Sequence, residues 1–248
     1  MKKHVLLALV CILCVPAAFA DWALRPQAGS KPVQWIDYAL TFNGDFGIER
    51  NRALGSLGYS RLFEPFELSA AFQTSADAQC RNINDITLSA AWWAVKSVHQ
   101  WRTWEFGIES IYHYQHYQDI YGEHDGIFYI NMRQRRDNGF ELVLKQGGTL
   151  KCANLYATDT SITNLNPVAW LSVAKTWQNG FELFSTVGSH STFRYQLFFA
   201  PTFTVGAACT FGGMFRPSIE WIMGCTDFFS ASIYINRMAV RFAGRILL

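Results

Sequence analysis

Successive stretches of the chain alternate apolar and polar side chains with period two, and several hold that phase for about ten residues or more. An extended strand sends neighbouring side chains to opposite faces, so this period means one apolar and one polar face. The clearest stretch is "WRTWEFGIESIYHYQHYQ", Trp101 to Gln118. Trp104, Phe106, Ile108, Ser110, Tyr112 and Tyr114 share one face; Thr103, Glu105, Gly107, Glu109, Ile111, His113 and Gln115 share the other. Half-buried strands of soluble sheets usually run only ~5–6 residues. No window holds the i, i+3, i+4, i+7 spacing of a helix as well.

The same pattern recurs along the chain. Apolar faces are formed by Ile36 to Phe42, Phe66 to Phe72, Ile86 to Trp92, Phe128 to Met132, Phe140 to Leu144 and Ala169 to Val173. Further ones follow at Phe181 to Val187, Phe193 to Phe199 and Ile219 to Met223, and the glycine-bearing "RALGSLGYSRLF" and the terminal "FFSASIYINRMAVRFAGRILL" complete a set of about twelve strands. The last one slips phase near Asn236-Arg237, which predicts a β-bulge. Pro201 interrupts the tenth, and a proline cannot donate to a ladder, so Ala200-Pro201 reads as strand or as turn. Splitting there raises the count, and merging weak segments lowers it to eight or ten.

Long and short connections alternate. "NGDFGIERN", "SADAQCRNIN", "QDIYGEHD" and "QGGTLKCANLYATDTSITNLNP" are long; "EP", "KSVHQ", "RDNG" and "QNG" are short. Asn-Gly pairs are strong tight-turn signals. This asymmetry is the habit of an up-and-down barrel crossing a membrane, with short turns on one side and longer loops on the other. The fold expected is therefore all-β: a closed antiparallel up-and-down transmembrane β-barrel. Ten steps of ~3.4 Å tilted by ~40° span roughly 26 Å, near the ~25 Å apolar band of such barrels.

The N-terminus agrees with export. "MKKHVLLALVCILCVPAAFADW" has a basic start, an apolar core and the small-x-small site Ala18-Phe19-Ala20. It reads as a signal peptide over residues 1–20, too short to span a bilayer as a helix. Residues 21–248 then form a single barrel domain. Removing Lys2 and Lys3 makes the basic residues equal in number to the 19 acidic ones. That balance offers no electrostatic case for nucleic acid. A chain that is 50% hydrophobic and 16% aromatic, yet lacks helical spans, suits a barrel in lipid.

Inside such a barrel, Glu105, Glu109 and His113 point into the lumen, with Arg133 and Arg135 from the next strand as nearest cations. Arg194, Arg216, Arg237, Arg241 and Arg245 are further inward candidates. The carboxylates and His113 lie ~13–14 Å apart along a strand, too far to share a metal. They read either as pore lining or as a plug of internal ion pairs. Cys80, Cys152, Cys209 and Cys225 remain after export. They make no zinc spacing. Cys80 and Cys152 each fall in a connection after an odd-numbered strand, so both emerge outside the cell, where a disulfide would pin the long loop Gln146–Pro167. Closing ~70 residues would stabilise by roughly 4 kcal/mol. No cofactor is expected.

On this pattern the chain resembles the small outer-membrane β-barrel proteins of bacteria, and with its cysteines and tryptophans it looks particularly like the small spirochaetal ones. The resemblance implies outer-membrane lipid and the barrel-assembly machinery as partners. Such proteins typically end in an alternating strand with a terminal aromatic. Here Met238, Val240, Phe242, Ile246 and Leu248 alternate, but the last residue is Leu248. The resemblance also implies a function: a narrow passive pore for small hydrophilic solutes. The alternatives are a non-conducting surface barrel whose external loops bind partners, or a lipid-modifying barrel enzyme. Lipid hydrolases of this kind carry histidine and serine two apart on one face; no histidine here has serine two residues after it. The protein is therefore read as a non-enzyme.

Overall fold

The computed structural model describes residues 33–45, 52–76, 82–117, 121–156, 158–190, 200–225 and 235–248. The expected signal peptide, Arg194 and Cys80 lie outside them. Twelve strands are formed: β1 Val33–Asp45, β2 Arg52–Phe63, β3 Phe66–Ala76, β4 Asn82–His99, β5 Arg102–Tyr117 and β6 Tyr121–Arg136 make one half. The other half is β7 Phe140–Leu155, β8 Thr160–Thr176, β9 Phe181–His190, β10 Ala200–Cys209, β11 Phe215–Cys225 and β12 Ile235–Leu247. Each strand pairs antiparallel with its sequence neighbours, and β12 pairs with β1 to close the barrel. The closing seam runs unbroken from Trp35 opposite Leu247 to Asp45 opposite Arg237.

Exposure follows the period of two. On β5, Phe106, Ile108 and Tyr112 are exposed, while Glu105, Glu109, Ile111, His113 and Gln115 between them are buried. Leu40, Phe42, Leu57, Phe72, Leu88, Ile130, Leu165, Val205, Trp221 and Phe242 continue the outer apolar surface around the barrel. A soluble protein would hide these side chains. A continuous apolar belt around a closed barrel is instead the surface that lipid covers. Rings mark its lower edge: Phe63 with Phe66, Trp104 with Phe106, Trp177 with Phe181, and Phe211 with Phe215. Tyr112, Tyr114, His124 and Tyr156 mark the upper edge, with the Tyr112 hydroxyl 2.8 Å from His124 Nδ1. Amphipathic rings of this kind sit where acyl chains meet head groups.

The two Asn-Gly turns form as expected. At the β6–β7 turn Gly139 has φ 83° and its amide donates to the Arg136 carbonyl at 2.9 Å. At the β8–β9 turn Gly180 has φ 81° and donates to Trp177 at 3.0 Å. Only glycine takes that left-handed conformation without a Cβ penalty. Asn138 Oδ1 and Asn179 Oδ1 accept from the amides of Phe140 and Phe181, which tightens both turns. The bulge near Asn236 is also present: Gly224 faces Arg237 while Cys225 faces Ile235.

Two expectations are corrected, and one left open is decided. Gln146–Pro167 is not a long loop. β7 and β8 stay in register from Phe140 opposite Lys175 to Leu155 opposite Thr160. Above the apolar belt the outer face carries polar Asn154, Ser161 and Thr163, so polarity no longer separates the two faces, and threonine suits a pleated backbone. "QDIYGEHD" shortens for the same reason, because β6 already begins at Tyr121, which faces Tyr117. Ala200-Pro201 is strand rather than turn: Pro201 pairs with Ser189 at the start of β10, where a missing N–H costs least. A second bulge had no counterpart in the sequence reading. In β4 the register shifts between Trp92, opposite Ile108, and Val95, opposite Phe106. Trp92 is exposed on the outer face and Trp93 is buried within. Gly107 lies against this bulge, and a Cβ there would run into the Trp92 carbonyl.

This surface assignment predicts that Ile108→Arg impairs insertion into lipid far more than Ala71→Arg, which adds the same charge on the inner face of β3. A charge at mid-membrane costs about 2–4 kcal/mol. Folding into vesicles, followed by the mobility difference between boiled and unboiled samples in detergent gels, measures both. Equal losses would mean that the faces are wrongly assigned.

Candidate functional site: the charged inner wall

The inner face of β4 to β7 carries a ladder of charge. Register sets the contacts. Glu105 is opposite Arg133, and Arg135 is opposite Glu141. Arg133 lies 3.6 Å from Glu105 and 3.4 Å from Glu141; Arg135 Nε donates to Glu141 at 3.1 Å. The Arg133 guanidinium also stacks on the Trp93 ring at 4.4 Å, since Trp93 keeps the inward phase of Thr87 and Ala91 just before the β4 bulge. One level up, Lys145 reaches over to Glu109 at 2.6 Å, and Asn131 Nδ2 donates to the same carboxylate at 3.0 Å. Higher still, Lys151 pairs with Glu123 at 2.6 Å and Asp125 at 3.4 Å. His113 sits between Asp85 and Asp125, at 3.7 and 3.5 Å. Glu123 is 0% exposed and Lys151 3%, so these side chains cover one another against the wall.

A second set lines β9, β11, β12 and β1. Arg216 Nη2 donates to Glu182 at 2.7 Å, Arg241 lies 3.7 Å from Glu220, and Arg245 donates twice to Asp37, at 2.8 and 3.3 Å. Arg245 also lies over the Trp35 ring at 4.8 Å. The remaining arc is built mainly of small residues, with Glu67 and Gln73 beside them on the inner face of β3. Ser56, Gly58 and Ser60 on β2 continue into Ser69 and Ala71 on β3 and into Thr87, Ser89 and Ala91 on β4. Ser69 and Ser89 share a hydrogen bond of 2.6 Å. The lumen thus has two ionic arcs, one on β4 to β7 and one running from β9 to β1, with a thin hydroxyl arc between them.

The sequence candidates occupy three levels of this wall. Glu105, Arg133 and Arg135 meet in one cluster; Glu109 joins Lys145 instead, and His113 joins the aspartates. Lys145, Lys151, Glu123, Asp125, Glu182 and Glu220 were not singled out from sequence. Their period-two positions were the available signal, but partners two strands away, as in Glu109–Lys145 and Glu182–Arg216, depend on register. Cys152 stands on β7 rather than in a loop, and its thiol is free, 3.8 Å from Thr163 Oγ1. Its expected partner Cys80 is outside the described residues. Cys209 and Cys225 end β10 and β11 at opposite rims.

A serine–histidine pair does occur, in the order opposite to the one sought. Ser97 Oγ lies 3.4 Å from His99 Nε2 at the exposed foot of β4. Among the described residues no carboxylate or amide holds the other ring nitrogen, which a base needs for orientation.

No protein-family model matches the chain, and no curated protein matches it by sequence. Solved structures do. The KdgM porin, solved in complex with disordered oligogalacturonate, superposes with a TM-score of 0.54 at 12% identity, covering 86% of this chain and 98% of the porin. The NanC porin gives 0.56 at 11% identity, over 86% and 100%. The chain shares their barrel fold. Outer membrane phospholipase A from Escherichia coli gives 0.50 at 9% identity, over 86% and 89%. Barrels of this architecture therefore include porins and an enzyme, and side chains must decide between them.

Removing one member of a buried ionic cluster leaves the others uncompensated, at a cost of about 3–5 kcal/mol. Lys151→Met should lower the denaturation midpoint of the folded barrel in detergent micelles, and adding Glu123→Gln should recover part of the loss. Unchanged midpoints would show that the cluster is neutralised by water instead.

Proposed function

We propose that the protein spans the bacterial outer membrane as a narrow passive pore for small hydrophilic solutes. The observation that carries this reading is the direction of the ion pairs. Each pair described above joins strands that are adjacent or next but one, and none of these pairs reaches across the barrel. A plug would tie opposite walls together. Twelve strands spaced ~4.8 Å apart and tilted by ~40° enclose a backbone diameter of roughly 24 Å. Side chains lying flat along such a wall leave water a path, whereas smaller barrels fill their interiors. Glu105, Glu109, His113, Arg133 and Arg135 are lining residues in this reading.

Residues 1–20 would direct export, and the assembly machinery would insert the strands into lipid. The likeness to spirochaetal barrels rests on cysteine and tryptophan content alone. Hydrolysis has one observation in its favour, the Ser97–His99 contact. A phospholipid-release assay on wild type and Ser97→Ala addresses it, and equal background rates are expected.

Refolded protein that shows the heat-modifiable shift should give discrete conductance steps in a planar bilayer. Folded protein that never conducts would overturn the pore reading and favour a surface barrel that binds partners through its loops.

A further inference from the structure

The arginines of β11 and β12 form a column that a conducting lumen would expose to passing solute. Arg216 and Arg245 are direct cross-strand neighbours, and Arg241 stands on the same face of β12, opposite Glu220. Three like charges so placed would make that side of the lumen strongly positive, and an acidic solute would be drawn to it. Each cation is met by one carboxylate from a different strand: Glu182 of β9 for Arg216, Glu220 of β11 for Arg241, Asp37 of β1 for Arg245. On the opposite side Arg133, Arg135, Lys145 and Lys151 are paired as well. Lys96 is exposed at the lower rim, with no ion-pair partner among the described residues.

We propose that Asp37, Glu182 and Glu220 set the substrate class of the pore. By masking the arginine column they leave a lumen of nearly balanced fixed charge, suited to uncharged hydrophilic solutes and poor at selecting acidic ones. This rests on the pore reading above. Arg241 is the weakest point of the mask. Its carboxylate is the farthest of the three, at 3.7 Å, and its Nε and Nη2 have no hydrogen-bond partner among the described residues. Removing the charge of Glu220 leaves Arg241 with no described counter-charge.

The test measures reversal potentials in a KCl gradient, together with vesicle uptake of sucrose and of digalacturonate. Wild type should show nearly equal permeability to potassium and chloride, and should admit sucrose faster than digalacturonate. Glu220→Gln should raise the chloride-to-potassium ratio by about threefold or more and speed digalacturonate entry. Asp37→Asn should act in the same direction. Strong ion selectivity in wild type would overturn the proposal, as would an unchanged ratio in a variant that still shows the heat-modifiable shift. If neither variant folds, the wild-type potential and the sucrose-to-digalacturonate ratio decide alone. A folded wild type without conductance would overturn the pore reading beneath it, an outcome distinct from conduction with the wrong selectivity.

Discussion

Closure of the hydrogen-bond ladder between β1 and β12 is the condition on which the rest depends. Lipid offers no donors or acceptors, so a spanning sheet must pair every backbone group within itself. The seam meets that demand by joining residues from the two ends of the chain, Trp35 with Leu247 and Asp45 with Arg237. Once the ring is closed, the outer face has no choice but to be apolar. The inner face is then free of the usual rule against buried charge, provided that the charges answer one another.

That freedom explains the inversion of the core. Compact apolar clusters inside the barrel are small: Ile111 with Tyr129 and Val168, and Ala174 with Phe184 and Ala208. The bulk of the interior is polar, and ion pairs do the packing. Buried pairs are weak evidence for stability, because desolvation offsets much of the attraction. Their value here is geometric. A guanidinium held between two carboxylates and a tryptophan ring, as Arg133 is, lies in one direction only, and that direction is along the wall.

Architecture was legible in the sequence wherever the two faces meet different solvents. Phe106, Ile108 and Tyr112 against Glu105, Glu109 and His113 announce a strand because lipid lies on one side and polar lumen on the other. Where the outer face is polar too, as at Asn154, Ser161 and Thr163, the contrast vanishes and the strand reads as a loop. The Asn-Gly turns were readable because glycine alone tolerates their backbone. The pairing of Lys145 with Glu109 and of Arg216 with Glu182 was not, since it depends on the stagger between strands. The bulge after Trp93 was not legible either, because "AWWAV" is apolar on both faces.

That insertion in β4 also acts as a phase corrector. Before it, even-numbered positions such as Ile86, Leu88 and Trp92 face outward; after it, odd-numbered Val95 and Ser97 do, since Phe106 and Trp104 lie opposite them. Lys96 therefore falls on the side of Glu105, facing the lumen. With an unbroken register the same ammonium would be aimed at hydrocarbon. One locally disrupted step in the ladder thus lets a strand of 18 residues carry a sequence that no single period could place in a membrane.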